Sequence, residues 1–307
     1  MRPVNPFEGN RGAVRLSGAP SPLSPGVKRV HQYHMKRTDI LVAGGGLAGQ
    51  LATLVFAQAG FDVTCVDPAP PVTSPDQRST AFLMPSVDLL DQAGVFDILR
   101  PLAAPLRTMR IADASQHPGQ IGQVVDFSAA EIGQDCFGYN IPNAPMKTAL
   151  STAIGDAASA HMIEGVAVEH MTPRDKEAIM RLSDGRQIRA RLVLAADGRD
   201  SHMRSLAGIG AHRIRYGQKA LVFAVSHALP HDDTSTEIHQ SGGPFTLVPL
   251  AGHDARRSAI VWMDHGPAIA RLANMPSDAF EHALNERACG LLGPLRLESP
   301  RAAWPII

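Results

Sequence analysis

The sequence has few cysteines, no Cys-x-x-Cys pair and no excess of either charge. Its 307 residues include three cysteines, Cys65, Cys136 and Cys289, too few and too scattered for a disulfide framework or a cysteine zinc site. Lys and Arg number 29, and so do Asp and Glu, so the positive charge that a duplex nucleic-acid-binding protein carries is missing. These absences favour a reducing cytoplasm and a partner that is not nucleic acid.

One segment, residues 40–61, is long and apolar enough to imitate a membrane span. Gly44, Gly45 and Gly46 stand together near its start, and Gly60 lies near its end. Because glycine weakens a helix, the segment divides better into a strand, a turn, a helix and a second strand. We therefore predict no spanning helix here, and peripheral contact with the inner membrane stays open.

Residues 1–37 contain five prolines and show no apolar period. Prolines at this density oppose a helix, and nothing in the segment predicts a strand. We expect a leader without a fold of its own, with Met35 as an alternative start of the chain.

Residues 38–67 have the pattern of a βαβ unit. Residues 40–43 form a short apolar run typical of a strand buried on both faces, and apolar residues then recur at helical spacing up to Gly60. A second apolar run ends at Asp67. Two parallel strands joined by a helix require a right-handed crossover, so the pattern predicts the start of a parallel sheet.

The turn of this unit reads Gly44-x-Gly46-x-x-Gly49, and each glycine has a mechanical task. Gly44 permits a tight turn, Gly46 lets the backbone approach a pyrophosphate, and Gly49 allows the helix to pack closely on the strand. Asp67 follows at the distance where a carboxylate accepts hydrogen bonds from a ribose. The unit predicts a dinucleotide site, and both NAD and FAD use it.

The later sequence is richer in strands. Asp184-Gly185 lies between residues 178–182 and 187–191 and predicts a tight hairpin. Its second arm continues into the apolar residues 192–196, which we expect to form a buried strand. Residues 245–250 and 258–263 read as two antiparallel strands across a polar turn. These patterns predict a second domain based on a sheet.

A second motif, Ala196-Asp197-Gly198-x-x-Ser201-x-x-Arg204, follows the apolar run at 192–196 and can open a helix capped by Asp200 or Ser201. A strand followed by this motif resembles the second fingerprint of the single-component flavoprotein aromatic hydroxylases, and residues 38–67 resemble their first. The resemblance favours FAD over NAD.

Further segments extend the resemblance over residues 38–304. Arg78-Ser79-Thr80-Ala81 resembles the stretch in which this family sets an arginine against the FAD pyrophosphate, a task that suits a planar fork of donors. Residues 137–143 and 243–250 resemble segments of the ubiquinone-biosynthesis hydroxylases. Two positions depart from the family: Lys147 stands near the usual glutamine, and Asp67 replaces the commoner glutamate.

The resemblance implies an α/β fold in which an FAD-binding Rossmann-like βαβ domain is joined to a β-rich substrate domain, the aromatic hydroxylase fold. We expect the FAD-binding domain at residues 38–112 and 138–212 and the β-rich domain at residues 113–137 and 213–303. The family continues into a Gly-Asp-Ala-Ala-His type segment that faces the flavin. No residue from 304 to 307 supplies it, so we expect the front part of a hydroxylase.

The resemblance also implies the reaction: FAD, reduced by NAD(P)H, uses O₂ to hydroxylate a small phenolic ring, with or without a prenyl chain, such as a ubiquinone precursor. Because the cofactor carries the difficult chemistry, no catalytic side chain is named. A biosynthetic complex is a further possible partner. The motifs and the resemblance together indicate these cofactor-binding residues: Gly44, Gly45, Gly46, Leu47, Ala48, Gly49, Asp67, Arg78, Asp197 and Gly198.

Two other functions remain open from the sequence. The chain could be an FAD-binding remnant without turnover, or an NAD(P)-dependent dehydrogenase that uses the first motif alone. A metal site is not predicted, because Pro230 interrupts the best histidine pair, His227 and His231. No Gly-x-Ser-x-Gly elbow is present, which removes the usual start of a hydrolase triad.

Overall fold

The structure is a computed structural model that describes residues 35–70, 76–117 and 119–306. Its strands, numbered in chain order, are β1 Lys36–Ala43, β2 Val63–Asp67, β3 Ser79–Leu83, β4 Ala104–Leu106, β5 Thr108–Asp113, β6 Gln123–Ser128, β7 Gly138–Pro142, β8 Ala160–Glu164, β9 Val168–Pro173, β10 Ala178–Leu182, β11 Gln187–Ala195, β12 Gln218–His227, β13 Thr234–Gln240, β14 Gly243–Pro249, β15 Arg257–His265, β16 Leu295–Leu297 and β17 Ala302–Pro305.

Along the chain, most of the α-helices follow one strand and precede another. Within the described residues, three short 3₁₀ helices lie at residues 100–102, 129–132 and 253–255. The α-helices are α1 Leu47–Gln58, α2 Met84–Gln92, α3 Phe96–Leu99, α4 Asn143–Asp156, α5 His202–Leu206, α6 Gly266–Asn274 and α7 Ser277–Arg287. No helix among the described residues is both long and apolar enough to cross a membrane.

The predicted leader at residues 1–37 lies almost wholly outside the described residues. Its end is corrected, because β1 begins at Lys36 and not at residue 38. Lys36 and Arg37 pair with Ile188 and Arg189 of β11, so the ladder extends two residues further than the apolar pattern indicates. The sequence pattern does not reveal this extension, because Lys36 and Arg37 are polar and add nothing to the apolar run.

A six-stranded sheet contains the predicted βαβ unit. Its order is β8-β2-β1-β11-β10-β9, and β1 runs parallel to both β2 and β11. The predicted hairpin is confirmed, since β10 and β11 pair antiparallel across Asp184-Gly185. Four neighbouring strands, β8, β2, β1 and β11, are parallel, as a nucleotide-binding sheet requires.

The strand β1 is buried on both faces, as its continuous apolar run predicts. Ile40 and Val42 pack in a cluster with Leu54 of α1 and Leu150 of α4. On the other face, Leu41 and Ala43 pack with residues of β10, β11 and α5. The two clusters hold α1 and α4 on one side of the sheet and α5 on the other.

The prediction of a buried second arm at residues 192–196 is wrong in part. Leu192 is 52% exposed, Val193 and Leu194 are half-buried and Ala195 is exposed. The reason is that β10 pairs with β11 only as far as Ala190, so the end of β11 has β1 as its one strand neighbour among the described residues. An apolar run alone does not reveal where a neighbouring strand stops.

The predicted β-rich part contains an eight-stranded sheet in the order β16-β12-β15-β14-β13-β5-β6, with β17 also paired to β12. The predicted strand pair near residues 245–263 is confirmed as β14 and β15. One face packs Phe245, Trp262 and Leu221 against Phe280 and Leu284 of α7. A smaller sheet, β3-β7-β4, completes the fold.

Each sheet combines strands that are not all consecutive in the sequence. Strand β5, Thr108–Asp113, spans the predicted boundary at residue 112 and lies wholly in the eight-stranded sheet, where it pairs with β13 and β6. The division into an FAD-binding and a substrate domain stays a prediction.

Candidate cofactor site

The glycine motif lies at the carboxyl end of β1, where the chain turns into α1. Gly44 has φ +107°, and its N–H donates to the carbonyl of Val66 at 2.8 Å. Gly46 is the N-cap of α1 and offers no side chain to the helix. The N–H groups of Leu47 and Ala48 in the first turn therefore lack intrahelical partners, and they form the positive end of the helix dipole.

We call a glycine of the motif closed where an added Cβ would overlap a neighbouring atom, and open where it would not. A Cβ at Gly49 would lie 1.8 Å from the carbonyl oxygen of Gly44, and one at Gly45 would lie 2.5 Å from the Asp67 carboxylate. A Cβ at Gly46 would meet no atom within 4 Å. The space over Gly46 is thus open to a ligand, whereas Gly49 is required by helix–strand packing.

The second motif lies against the first. The N–H of Ala196 donates to the carbonyl of Ala43 at 2.7 Å, which extends the β1–β11 pairing past the end of both strands. A Cβ at Gly44 would lie 2.4 Å from the Ala196 carbonyl oxygen and 2.8 Å from the Asp197 Cα. The structure therefore brings the two predicted fingerprints into contact.

The Asp197 carboxylate faces the start of α5. It accepts hydrogen bonds from the Ser201 hydroxyl at 2.6 Å and from the N–H of Met203 at 2.9 Å. Burial alone would raise the pKa of the Asp197 carboxyl, but these hydrogen bonds outweigh it, so the pKa is lowered. Gly198 has φ +81° and forms the turn between them. In this structure Asp197 stabilises the loop beside Gly44, and Ser201, one of the two predicted caps, is the N-cap of α5.

The Asp67 carboxylate at the end of β2 also binds backbone. One oxygen accepts from the N–H of Gly45 at 2.5 Å, and the other accepts from the N–H of Ala69 at 2.7 Å. Each carboxylate oxygen has a second lone pair, so these bonds leave acceptor capacity for a ribose. Asp67 joins the glycine turn to the end of the second strand.

Arg78 stands just before β3, and its guanidinium forms a bidentate pair with Asp76. The Nε and Nη2 groups donate to the two carboxylate oxygens at 2.8 and 2.7 Å. The guanidinium carbon lies 4.2 Å from the centre of the Trp304 ring. The hydrogen bonds from Arg78 lower the pKa of the Asp76 carboxyl, so the pair stays ionised near neutral pH.

A cavity of about 1120 Å³ lies beside the open end of the motif. Of the ten predicted residues, Gly46, Leu47 and Arg78 line it. The cavity is not lined by the closed glycines or by Ala48, Asp67, Asp197 and Gly198. Most of these residues support the glycine turn that borders the cavity. Lining residues that the sequence did not single out are Asp76, Gln77, Asn143, Ala144, Thr148, Ser151, Thr152, Glu164, Val222, Pro300, Ala302 and Trp304.

Some of these residues had a detectable signal. Asp76 and Arg78 are two apart, a spacing that lets an acidic and a basic side chain pair, whereas the resemblance indicates only the arginine. Trp304 served in the sequence only to mark the end of the resemblance. Its contact with Arg78 joins positions 226 residues apart, which no local pattern predicts.

The histidine pair lies outside this cavity. His227 and His231 are buried, with ring centres 6.0 Å apart; His227 ends β12, and His231 lies in the turn between β12 and β13. Within the described residues no three His, Cys, Asp or Glu side chains are grouped so that they could hold a metal ion. All four ring nitrogens lie within hydrogen-bond distance of neighbouring protein atoms.

Comparison with known proteins gives a consistent assignment. The FAD binding domain family matches residues 37–290. Ubiquinone hydroxylase UbiL of Rhodospirillum rubrum is 31% identical over 274 residues, 88% of this chain and 62% of its own. The 3-demethoxyubiquinol 3-hydroxylase of Escherichia coli is 31% identical over 249 residues, 78% of this chain and 60% of its own. The chain thus spans about three fifths of the length of these relatives.

Solved structures share the fold at lower identity. The p-nitrophenol 4-monooxygenase PnpA of Pseudomonas putida has a TM-score of 0.67 and 18% identity, over 89% of this chain and 69% of that one. PqsL of Pseudomonas aeruginosa, described as a probable FAD-dependent monooxygenase, has a TM-score of 0.68 and 19% identity, over 88% of this chain and 74% of that one. The predicted aromatic hydroxylase fold and the resemblance to ubiquinone-biosynthesis hydroxylases are confirmed.

Proposed function

The chain belongs to the FAD-binding domain family, and from that premise we propose that it is an FAD-dependent hydroxylase that acts on a phenolic ubiquinone precursor with NAD(P)H and O₂. The observation that carries the proposal is the open space over Gly46, in a cavity that Arg78 also lines. A bound diphosphate can approach the backbone there, because the other motif glycines are closed by packing and Gly46 is not.

The described residues fit the adenosine diphosphate part of FAD. The free N–H groups at the start of α1 and the Arg78 guanidinium both favour phosphate oxygens. Asp67 would accept from the ribose, while Asp197 and Gly198 would keep the Gly44 turn in shape through the contact with Ala196. FAD supplies the redox chemistry when it is bound, and the chain's own residues bind it, orient it and exclude water.

The wall that the eight-stranded sheet contributes to the cavity favours an apolar substrate. Val222 of β12 and Ala302 and Trp304 of β17 line it, and all three belong to the eight-stranded sheet. An aromatic ring, with or without a prenyl chain, would bury apolar surface there. The relatives' names support the ubiquinone precursor, since both Rhodospirillum rubrum UbiL and the Escherichia coli enzyme are named as hydroxylases of ubiquinone or its precursor.

The test is product analysis of the purified chain supplied with FAD, NADH or NADPH, ¹⁸O₂ and a short-chain prenylated phenol. The proposal predicts a product that contains one ¹⁸O atom. A chain that binds FAD and oxidises NAD(P)H to NAD(P)⁺ while it reduces O₂ only to hydrogen peroxide would support the remnant without hydroxylation. A chain that binds NAD and no FAD would support the dehydrogenase and contradict the proposal.

Cytoplasmic location with peripheral contact to a membrane belongs to the same proposal. A prenylated substrate partitions into lipid, so the enzyme must meet it at a membrane surface or receive it from a biosynthetic partner. Cosedimentation of the chain with vesicles that contain the prenylated phenol tests this, and equal binding to vesicles without the phenol would argue against substrate-directed contact.

A further inference from the structure

The guanidinium of Arg78 is held from two directions by residues that no motif assigns. On one edge, Asp76 accepts hydrogen bonds from both Nε and Nη2, and it also accepts from the backbone N–H of Arg78 at 3.0 Å. On one face, the ring of Trp304 lies within cation–π distance of the guanidinium carbon. The Nη1 group has no hydrogen-bond acceptor among the residues that the structure describes.

Asp76 is itself held in place. Its second oxygen accepts from the Nδ2 group of Asn143 at 3.2 Å, and the Oδ1 atom of Asn143 accepts from the Thr80 hydroxyl at 2.7 Å. Asn143 is buried at the start of α4, and Thr80 lies in β3. The carboxylate is thus fixed by two elements of the fold besides the loop that carries it.

Trp304 approaches from the other part of the molecule. It lies in β17, which pairs with β12 at the edge of the eight-stranded sheet, and Ala220 is its partner in register. Arg78 precedes β3, in the three-stranded sheet. The guanidinium therefore joins the two sheets at the cavity that the proposed function assigns to the FAD diphosphate.

We propose that Asp76 and Trp304 are positioning residues that hold Arg78 with its Nη1 edge free for the diphosphate of FAD. The inference rests on the proposed function and assigns two residues to its phosphate site. A free arginine side chain loses conformational entropy when it is fixed. Asp76 and Trp304 lower that loss before the cofactor arrives.

The negative charge of Asp76 opposes this gain, because it repels phosphate. The carboxylate occupies the Nε/Nη2 edge, so a diphosphate bound at the Nη1 edge is separated from it by the width of the guanidinium. Half-exposed charges at that separation are screened by solvent. The positioning effect is therefore expected to exceed the repulsion, and removal of the charge should weaken binding.

The test measures dissociation constants of FAD and of ADP by calorimetry for the full chain and its variants. ADP carries the diphosphate without the flavin. Asp76→Asn is expected to weaken both ligands about 10-fold, the order expected when a charge-assisted hydrogen bond is lost. In an Arg78→Gln background, the same substitution should change either constant less than about 2-fold, because Asp76 would act through Arg78.

Trp304 is tested by a conservative pair. Trp304→Leu should weaken ADP about 3-fold, while Trp304→Phe, which keeps an aromatic face, should stay within about 2-fold of the wild type. ADP should also alter the tryptophan emission of the wild type, and this change should be absent from Trp304→Phe, because the second tryptophan, Trp262, is buried in the other core.

A matched control comes from Arg100, which pairs with Asp97 and lies 4.6 Å from the ring centre of Phe96. This trio does not line the cavity, so Asp97→Asn should leave both constants unchanged. Equal effects of Asp76→Asn with and without Arg78, no effect, or tighter binding would overturn the positioning role and leave the proposed function standing. A wild-type chain that binds neither FAD nor ADP would overturn both.

Discussion

Gly46 is the residue whose substitution should weaken cofactor binding with the least effect on the unfolding free energy. Its backbone, with φ −69° and ψ 178°, is one that valine adopts readily, and the space beside it is open. Gly46→Val should therefore weaken FAD binding at least about 100-fold through overlap with the diphosphate, with an unfolding free energy within about 1 kcal/mol of the wild type. Calorimetry and urea denaturation measure the two effects.

The control for this prediction is Gly49→Val. A side chain there would overlap the Gly44 carbonyl, so the folded state itself should lose about 3 kcal/mol. If Gly46→Val and Gly49→Val destabilised the fold equally, the distinction between an open and a closed glycine would be wrong.

Asp67 has a double role, so its replacement should affect both stability and binding. Asp67→Ala removes the acceptor for the N–H groups of Gly45 and Ala69 and should cost about 1–3 kcal/mol of unfolding free energy. The same substitution should weaken FAD by a comparable amount, since the ribose loses an acceptor. Denaturation and flavin titration on one sample separate the effects, and an unchanged dissociation constant would remove the ribose role.

The sequence predicted these residues because each leaves a local signature. Gly44, Gly46 and Gly49 have fixed spacing, and Asp67 ends an apolar run. Asp197 was predicted beside the cofactor, and the contact between Gly44 and Ala196 explains how it supports the turn. The hydrogen bond between Asp67 and Gly45 and the contact of Arg78 with Trp304 could not be predicted, since both depend on where the chain returns in space.

At the scale of elements, the two buried histidines join the turn after β12 to the turn before β15. The backbone N–H of His231 donates to the carbonyl of Ala255, and the ring Nδ1 of His231 accepts from the backbone N–H of Asp233 at 3.1 Å. His227 lies 3.0 Å from the Ser258 hydroxyl through Nε2 and 2.6 Å from the Leu229 carbonyl through Nδ1. Because Nδ1 of His231 accepts a hydrogen bond, this ring is neutral, and burial lowers the pKa of His227 below its ordinary value.

This arrangement predicts a loss of stability in mild acid. Burial lowers the pKa of both His227 and His231 below the ordinary value, so the unfolded chain binds more protons than the folded one as the pH falls. Their contribution to stability is complete above the unfolded pKa of about 6.5 and is lost as the pH falls through the lower folded pKa.

The measurement is the urea midpoint at pH 7.5 and at pH 5.5. It should fall for the wild type and fall less for His231→Gln, whose amide can both donate and accept without taking up a proton. Exposed His202 supplies a control, because His202→Gln should leave the pH dependence unchanged. An identical drop in His231→Gln and wild type would show that other groups cause it.

Elements with a local pattern were predicted correctly. The strand–helix–strand unit, the hairpin at Asp184-Gly185 and the β14–β15 pair each combine an apolar period with a turn signal. The exposed end of β11 was not predicted, because an apolar run alone does not show that the neighbouring strand β10 stops at the level of Ala190. Strand β5 was divided by a predicted boundary, since its membership of a sheet depends on pairing with β13, more than 120 residues later.

At the scale of the whole molecule, the central claim is that the described residues bind the adenosine diphosphate part of FAD. The family match covers residues 37–290, and the α1 end, Arg78 and the cavity all lie within that range or beside it. The chain spans about three fifths of the length of the relatives, and hydroxylation stays a proposal.

The most direct test is equilibrium titration of the purified chain with FAD, in the absence and presence of excess NAD. We expect one FAD to bind per chain and the flavin absorption bands to shift on binding. ADP should displace the bound FAD, and excess NAD should not. Binding of NAD with displacement of FAD, or no binding of FAD at all, would contradict it.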